Sequence, residues 1–95
     1  MHEENEVCLT GIISKIYPAV VTPAGVSVAR LVLEHNSEQV EGGIKRRVKC
    51  KIYCVYVAGK NLAEWLNCRI SVVGFLSINS QKEIVLHITK IKNLD

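Results

Sequence analysis

Aspartate is almost missing from this chain: the one copy, Asp95, is the last residue, and the three histidines, His2, His35 and His87, are widely separated. Hydrolytic and group-transfer chemistry needs acid, base and nucleophile side chains that converge, and this inventory offers little to converge. A Ser-His-Glu grouping built on His35 and Glu34 fails in a strand, where adjacent residues face opposite ways. No catalytic residue is expected, and the chain is read as a non-enzyme. A phosphate-binding loop is lacking as well, because Gly42-Gly43 is followed by neither the Lys-Ser/Thr signature nor a helix. No run approaches the ~20 apolar residues of a spanning helix, and Met-His-Glu-Glu-Asn-Glu is the reverse of a basic signal-peptide start, so the expected compartment is the cytoplasm and no membrane partner is expected. The four cysteines, Cys8, Cys50, Cys54 and Cys68, form no tight ligand pair. On a strand, Cys50 and Cys54 would lie about 13 Å apart, against zinc–sulfur bonds of about 2.3 Å. They are read as reduced, mostly buried small hydrophobes, and neither metal nor cofactor is expected.

Basic side chains, by contrast, are concentrated. Residues 1–41 hold two basic and six acidic side chains, and residues 42–95 hold ten and three, so a formal charge of +3 conceals halves of −4 and +7. The later half is the part that should face an anion. Within it, Lys45 to Val57 reads Lys-Arg-Arg-Val-Lys-Cys-Lys-Ile-Tyr-Cys-Val-Tyr-Val. As a strand, this places Lys45, Arg47, Lys49, Lys51 and Tyr53 on one face, and Val48, Cys50, Ile52 and Cys54 on the other. Neighbouring charges about 7 Å apart repel by about 0.6 kcal/mol in water, a small cost that a polyanion would relieve. The competing reading is a solvated edge, with Glu34, Glu38 and Glu41 neutralising the cations across a hairpin.

Ninety-five residues, 48% of them apolar, suit one domain over residues 1–95, with residues 1–5 frayed. A first strand is expected over Val7 to Tyr17, with Gly11 allowing a bend, and Pro18 ending it. Thr22-Pro23-Ala24-Gly25 is a turn, Val26 to Glu34 a second strand, and Asn36 to Gly43 a polar connection into the basic third strand. The only helical signal follows Gly59: Asn61 and Glu64 have capping-box spacing ahead of the stripe Leu62, Trp65 and Leu66. Arg69 to Ser77 and Ile84 to Ile91 complete the set, joined by Asn79 to Glu83. Three strands, a short helix and two strands predict an all-β, five-stranded Greek-key barrel of the oligonucleotide-binding (OB) type, with the helix between strands 3 and 4. Single-stranded nucleic acid is held in such folds by a basic groove and stacking aromatics. With three tyrosines, one tryptophan and one phenylalanine, this chain has more groove than platform. Tyr53 is the best stacking candidate and Tyr17 the second, while Phe75 is expected in the core and Trp65 anchoring the helix to the barrel end.

Thr22-Pro23-Ala24-Gly25, Leu33-Glu34-His35 with Ser37 and Gln39, Gly43 to Cys50, and Val73-Gly74-Phe75-Leu76 followed by Val85-Leu86-His87 together resemble the bacterial primosomal replication protein N (PriB) family. The resemblance runs through nearly the whole chain in order. It implies a homodimer of OB folds, related to single-stranded DNA-binding protein, that acts in replication restart. Such proteins bind single-stranded DNA, stabilise the restart helicase PriA on forked DNA and help recruit DnaT so that the replicative helicase is reloaded. Pairing of first strands would place Val7, Leu9, Gly11, Ile13 and Ile16 at the dimer interface. The expected DNA contacts are Lys15, Lys45, Arg46, Arg47, Lys49, Lys51, Tyr53 and Lys82. Relatives stack a base with tryptophan where Lys49 stands, and carry a longer, lysine-rich loop where Asn79 to Glu83 has Lys82 alone. The alternative is a protein-interaction dimer whose basic face docks a partner protein with little DNA binding.

Overall fold

The computed structural model describes residues 2–95. Alternation of inward and outward side chains yields five long strands: β1 (Val7–Ile16), β3 (Ser27–Glu41), β4 (Ile44–Val57), β5 (Arg69–Ile78) and β6 (Ile84–Asn93). A two-residue strand, β2 (Val20–Val21), lies on the edge of β3. The sheet runs β1-β5-β6-β4-β3, and β1 also pairs with β3, so it closes into a barrel. All pairings are antiparallel except β4 with β6 at Cys54↔Leu86, Val55↔His87 and Tyr56↔Ile88. Closure removes most free strand edges, and the enclosed side chains are the core: Ile13, Leu31, Leu33, Cys54, Leu62, Ile70, Val72, Leu86 and Ile88.

Closure depends on β1 changing partners. Its first half pairs with β5 from Val7↔Gly74 to Ile12↔Arg69, and its second half pairs with β3 from Ile12↔Glu34, with a register shift between Ile13 and Lys15. Gly11 sits at the hand-over, as its position in the sequence suggests. The register shift itself falls at Ser14, between the two paired segments.

Several details differ from the sequence reading. The segment Asn36 to Gly43 is not a connection: β3 continues to Glu41, and only Gly42-Gly43 turns the chain. Their positive φ angles, 59° and 79°, are what a two-residue hairpin turn of the type that matches strand twist requires. The helix contracts to one 3-10 turn, Ala63–Trp65. Asn61 Oδ1 accepts the Ala63 N–H at 2.9 Å, but Glu64 makes no reciprocal cap, because three residues of helix leave no turn for it to close. Leu62 nevertheless fills the barrel end, and Trp65 packs partly buried against the core with Lys60 Nζ 5.1 Å from its ring centre. Phe75 is not in the core. It faces outward from β5 and stacks on the cross-strand His87, with ring centres 5.0 Å apart and planes 7° from parallel. The cysteines are free but not mostly buried: Cys54 alone is in the core, where burial pushes its thiol up to about 12, while Cys8 and Cys50 are exposed. The N-terminal segment is held from Asn5, whose side chain exchanges hydrogen bonds of 2.8 and 2.9 Å with the Leu76 backbone.

Candidate nucleic-acid interface

The long β3–β4 hairpin is the feature that positions the basic residues. Only Ile12 to Ile16 of β1 pair with β3, and only Cys54 to Tyr56 of β4 pair with β6, so residues 36–49 pair with nothing among the described residues but each other and project as a two-stranded arm. Its root is pinned to β1: the His35 ring donates through Nδ1 to the Thr10 carbonyl at 2.7 Å, and its Nε2 meets Ser37 Oγ at 2.7 Å. The inward face of β4 is therefore core only from Ile52 onward. Cys50 is exposed and Val48 half-buried because no second layer lies under the arm.

On the arm the cations fall into two groups. Register places Glu38 opposite Arg47 and Glu41 opposite Ile44, and the acidic side chains reach Lys45 and Arg46 instead: Lys45 Nζ to Glu38 at 3.7 Å, and Arg46 to Glu41 at 3.1 Å. Neutralisation across the hairpin thus holds near the tip. Arg47, Lys49 and Lys51 have no ion pair among the described residues, and they face away from the core with Asn36 and Glu34 across from Lys49 and Lys51.

At the root this face meets the barrel wall. Lys15 and Tyr53 flank Val32 in the strand order β1-β3-β4, and these residues line one concavity with Ser14, Tyr17 and Lys51. Tyr53 is 49% exposed, consistent with an open stacking surface. Tyr17 lies beside it with Lys15 Nζ 4.6 Å and the Arg30 guanidinium carbon 5.6 Å from its ring centre. The Tyr53 phenol is held above its ordinary value by the neighbouring Tyr17 and then by the Glu83 carboxylate. Arg30 belongs to this cluster and was missed by sequence reasoning, although its even spacing from Val32 and Glu34 on the outward face of β3 was legible. A second concavity, sharing Tyr17 and Tyr53, extends over Arg30 and Val85 to Asn79, Gln81 and Glu83.

The loop Asn79 to Glu83 accordingly borders the site, but through polar and acidic groups. Asn79 Oδ1 accepts the N–H groups of Gln81 and Glu83, and its amide donates to Glu83 at 3.2 Å. Lys82 lies at the crest of that turn with φ 63° and is not among the residues lining either concavity. Of the first-strand residues, Ile13 lies wholly within the protomer's own core, with both backbone groups bonded to Asn67 and Cys68. Val7, Leu9 and Ile16 pack partly buried against that core. By alternation from Ile13, the backbone groups of Cys8 and Thr10 point away from β5, along an edge of β1 that no strand of the described residues covers, with the Thr10 carbonyl on it taken by His35.

A closed five-stranded barrel whose outer face joins cations to exposed aromatics is an OB fold of the single-strand-binding type. Residues 5–90 match the model of a family described as another single-strand binding protein family. The chain belongs to that family and, within it, to the replication restart protein PriB group. It is 32% identical to replication restart protein PriB of Photorhabdus laumondii over 96% of this chain and 94% of the relative, and 34% identical to that of Neisseria meningitidis over 93% and 92%. Among solved structures, PriB of Ralstonia solanacearum superposes with a TM-score of 0.84 at 23% identity, covering 98% of this chain and all of that one, which shows the shared fold.

Proposed function

We propose that this chain is a noncatalytic, single-stranded DNA-binding adaptor of bacterial replication restart, acting in the cytoplasm as a dimer of single-domain protomers. The observation that carries the reading is one continuous surface: Arg47, Lys49 and Lys51 descend the arm to Tyr53, where Lys15 and Arg30 add charge around Tyr17. Phosphates are attracted along the arm while a base stacks at Tyr53. Membership of the PriB group supports the restart setting, with PriA stabilised on DNA and DnaT recruited. The edge of β1 around Cys8, which no strand of the described residues covers, supports a strand-to-strand dimer in which Val7, Leu9 and Gly11 lie along the seam, whereas β3 already covers that edge from Ile12 to Ile16. Sedimentation equilibrium tests it: a monomer at micromolar concentration would remove the dimer.

Four phosphate contacts per protomer, from Lys15, Arg47, Lys49 and Lys51, give a log–log salt slope of roughly −3. Titrating the protein onto a labelled oligonucleotide at several salt concentrations measures it, and a flat response would overturn the reading. The ion pairs at Lys45 and Arg46, together with exposed Val40 and Ile44 at the arm tip, favour a protein contact there as a second use of the arm. Helicase binding that survives Arg47, Lys49 and Lys51 replacement but is lost with Val40 and Ile44 would assign the tip to that role.

A further inference from the structure

The concavity between Tyr53 and the β5–β6 loop has a construction that electrostatic capture does not require. Its floor is apolar, with Val85 and Leu31 buried beneath it. One wall carries the Arg30 guanidinium, held over Tyr17 and anchored by one Nη to the Pro18 carbonyl at 3.2 Å, which leaves further N–H donors free. Facing the same space is Glu83, one of whose oxygens is held by Asn79. The two opposite charges share one concavity, and among the described residues no ion pair joins them. A carboxylate beside a phosphate-binding face lowers affinity for any polyanion, so Glu83 is unexplained by the cationic surface.

A nucleobase explains it. Guanine presents two acceptors, O6 and N7, that suit a guanidinium, and two donors, N1–H and the N2 amino group, that suit a carboxylate. Thymine offers a single donor and adenine no paired acceptors of that kind. We propose that this pocket takes one guanine base from single-stranded DNA, stacked at Tyr53, with Arg30 reading its acceptor edge and Glu83 its donor edge. The inference rests on the single-stranded DNA reading above and adds base selectivity to a surface otherwise indifferent to sequence.

Anisotropy titrations of the full chain on two oligonucleotides of equal length test it, one all thymidine and one with guanine at every third position, spaced to prevent quadruplex formation. The guanine-bearing strand is expected to bind about ten-fold tighter. That ratio should hold as salt is raised, because both strands present the same phosphates. Glu83→Gln keeps the hydrogen bond from Asn79 but replaces an acceptor with a donor, so the ratio should fall towards one. Equal binding of both strands, an equal gain from adenine or cytosine at the same positions, or a ratio unchanged in Glu83→Gln would each overturn the guanine pocket while leaving single-strand binding in place. Failure of both strands to bind would overturn both.

Discussion

Gly11 crosses the backbone of Glu34 so closely that a Cβ on Gly11 would lie 2.5 Å from the Glu34 carbonyl oxygen. The contact is backbone on backbone, and a side chain there cannot swing aside. Because β1 leaves β5 and joins β3 at this point, the approach is what lets the barrel close.

Gly11→Ala should therefore destabilise the fold by about 1–3 kcal/mol. Denaturant melts would show it, and a change within a few tenths of a kcal/mol would mean that the strands separate there without cost.

The two groups of arm cations should behave differently. Replacing Arg47, Lys49 and Lys51 with alanine should weaken DNA binding and bring the salt slope about two units closer to zero. Replacing Lys45 and Arg46 should change it by well under one unit, since each already has a carboxylate and exposed pairs of this kind hold little energy, about 0–1 kcal/mol. Parallel salt titrations of the two variants decide it; equal slopes would mean that Glu38 and Glu41 release their partners to DNA.

Tyr53→Ala should cost about 1–3 kcal/mol of affinity for single strands while leaving the salt slope in place, because stacking releases no counterion. Tyr53→Phe should retain most of the binding. A slope that changes with Tyr53→Ala would show that the ring positions Lys51 instead of stacking a base.

Cys54 sets a pH dependence of stability. Its folded thiol is pushed up to about 12 by burial from an ordinary value of 9.0, so the folded state holds a proton that the unfolded chain gives up first. The contribution is intact below pH 9 and is lost as pH rises from there towards 12, at up to about 1.4 kcal/mol per pH unit. Chemical denaturation of the chain and of Cys54→Ala across this window should show the steeper decline in the former. Parallel declines would mean that the thiol ionises in place.

The sequence carried most of the strands, the face that each residue of β4 takes and the exposed Tyr53 ring at the end of the basic row, because these follow from a period of two along a local stretch of chain. Val48 and Cys50 show where that reasoning stops. Alternation puts them on the inward face, yet Val48 is only half-buried and Cys50 is exposed, since the arm outruns its pairing with β1 and β6. The apolar neighbours of Phe75 suggest a core position, but a register shift between Val73 and Gly74 and the partner His87 place it outside. Arg30 and Glu83 are 53 positions apart in the sequence and share a concavity only because β3, β4 and the β5–β6 loop converge there. Local periodicity thus determined that this protein would carry a row of cations on one exposed face of β4. Which of those cations stay unpaired, and which distant residues gather around Tyr53, was decided by cross-strand register and barrel closure, which depend on contacts between segments that no local pattern encodes.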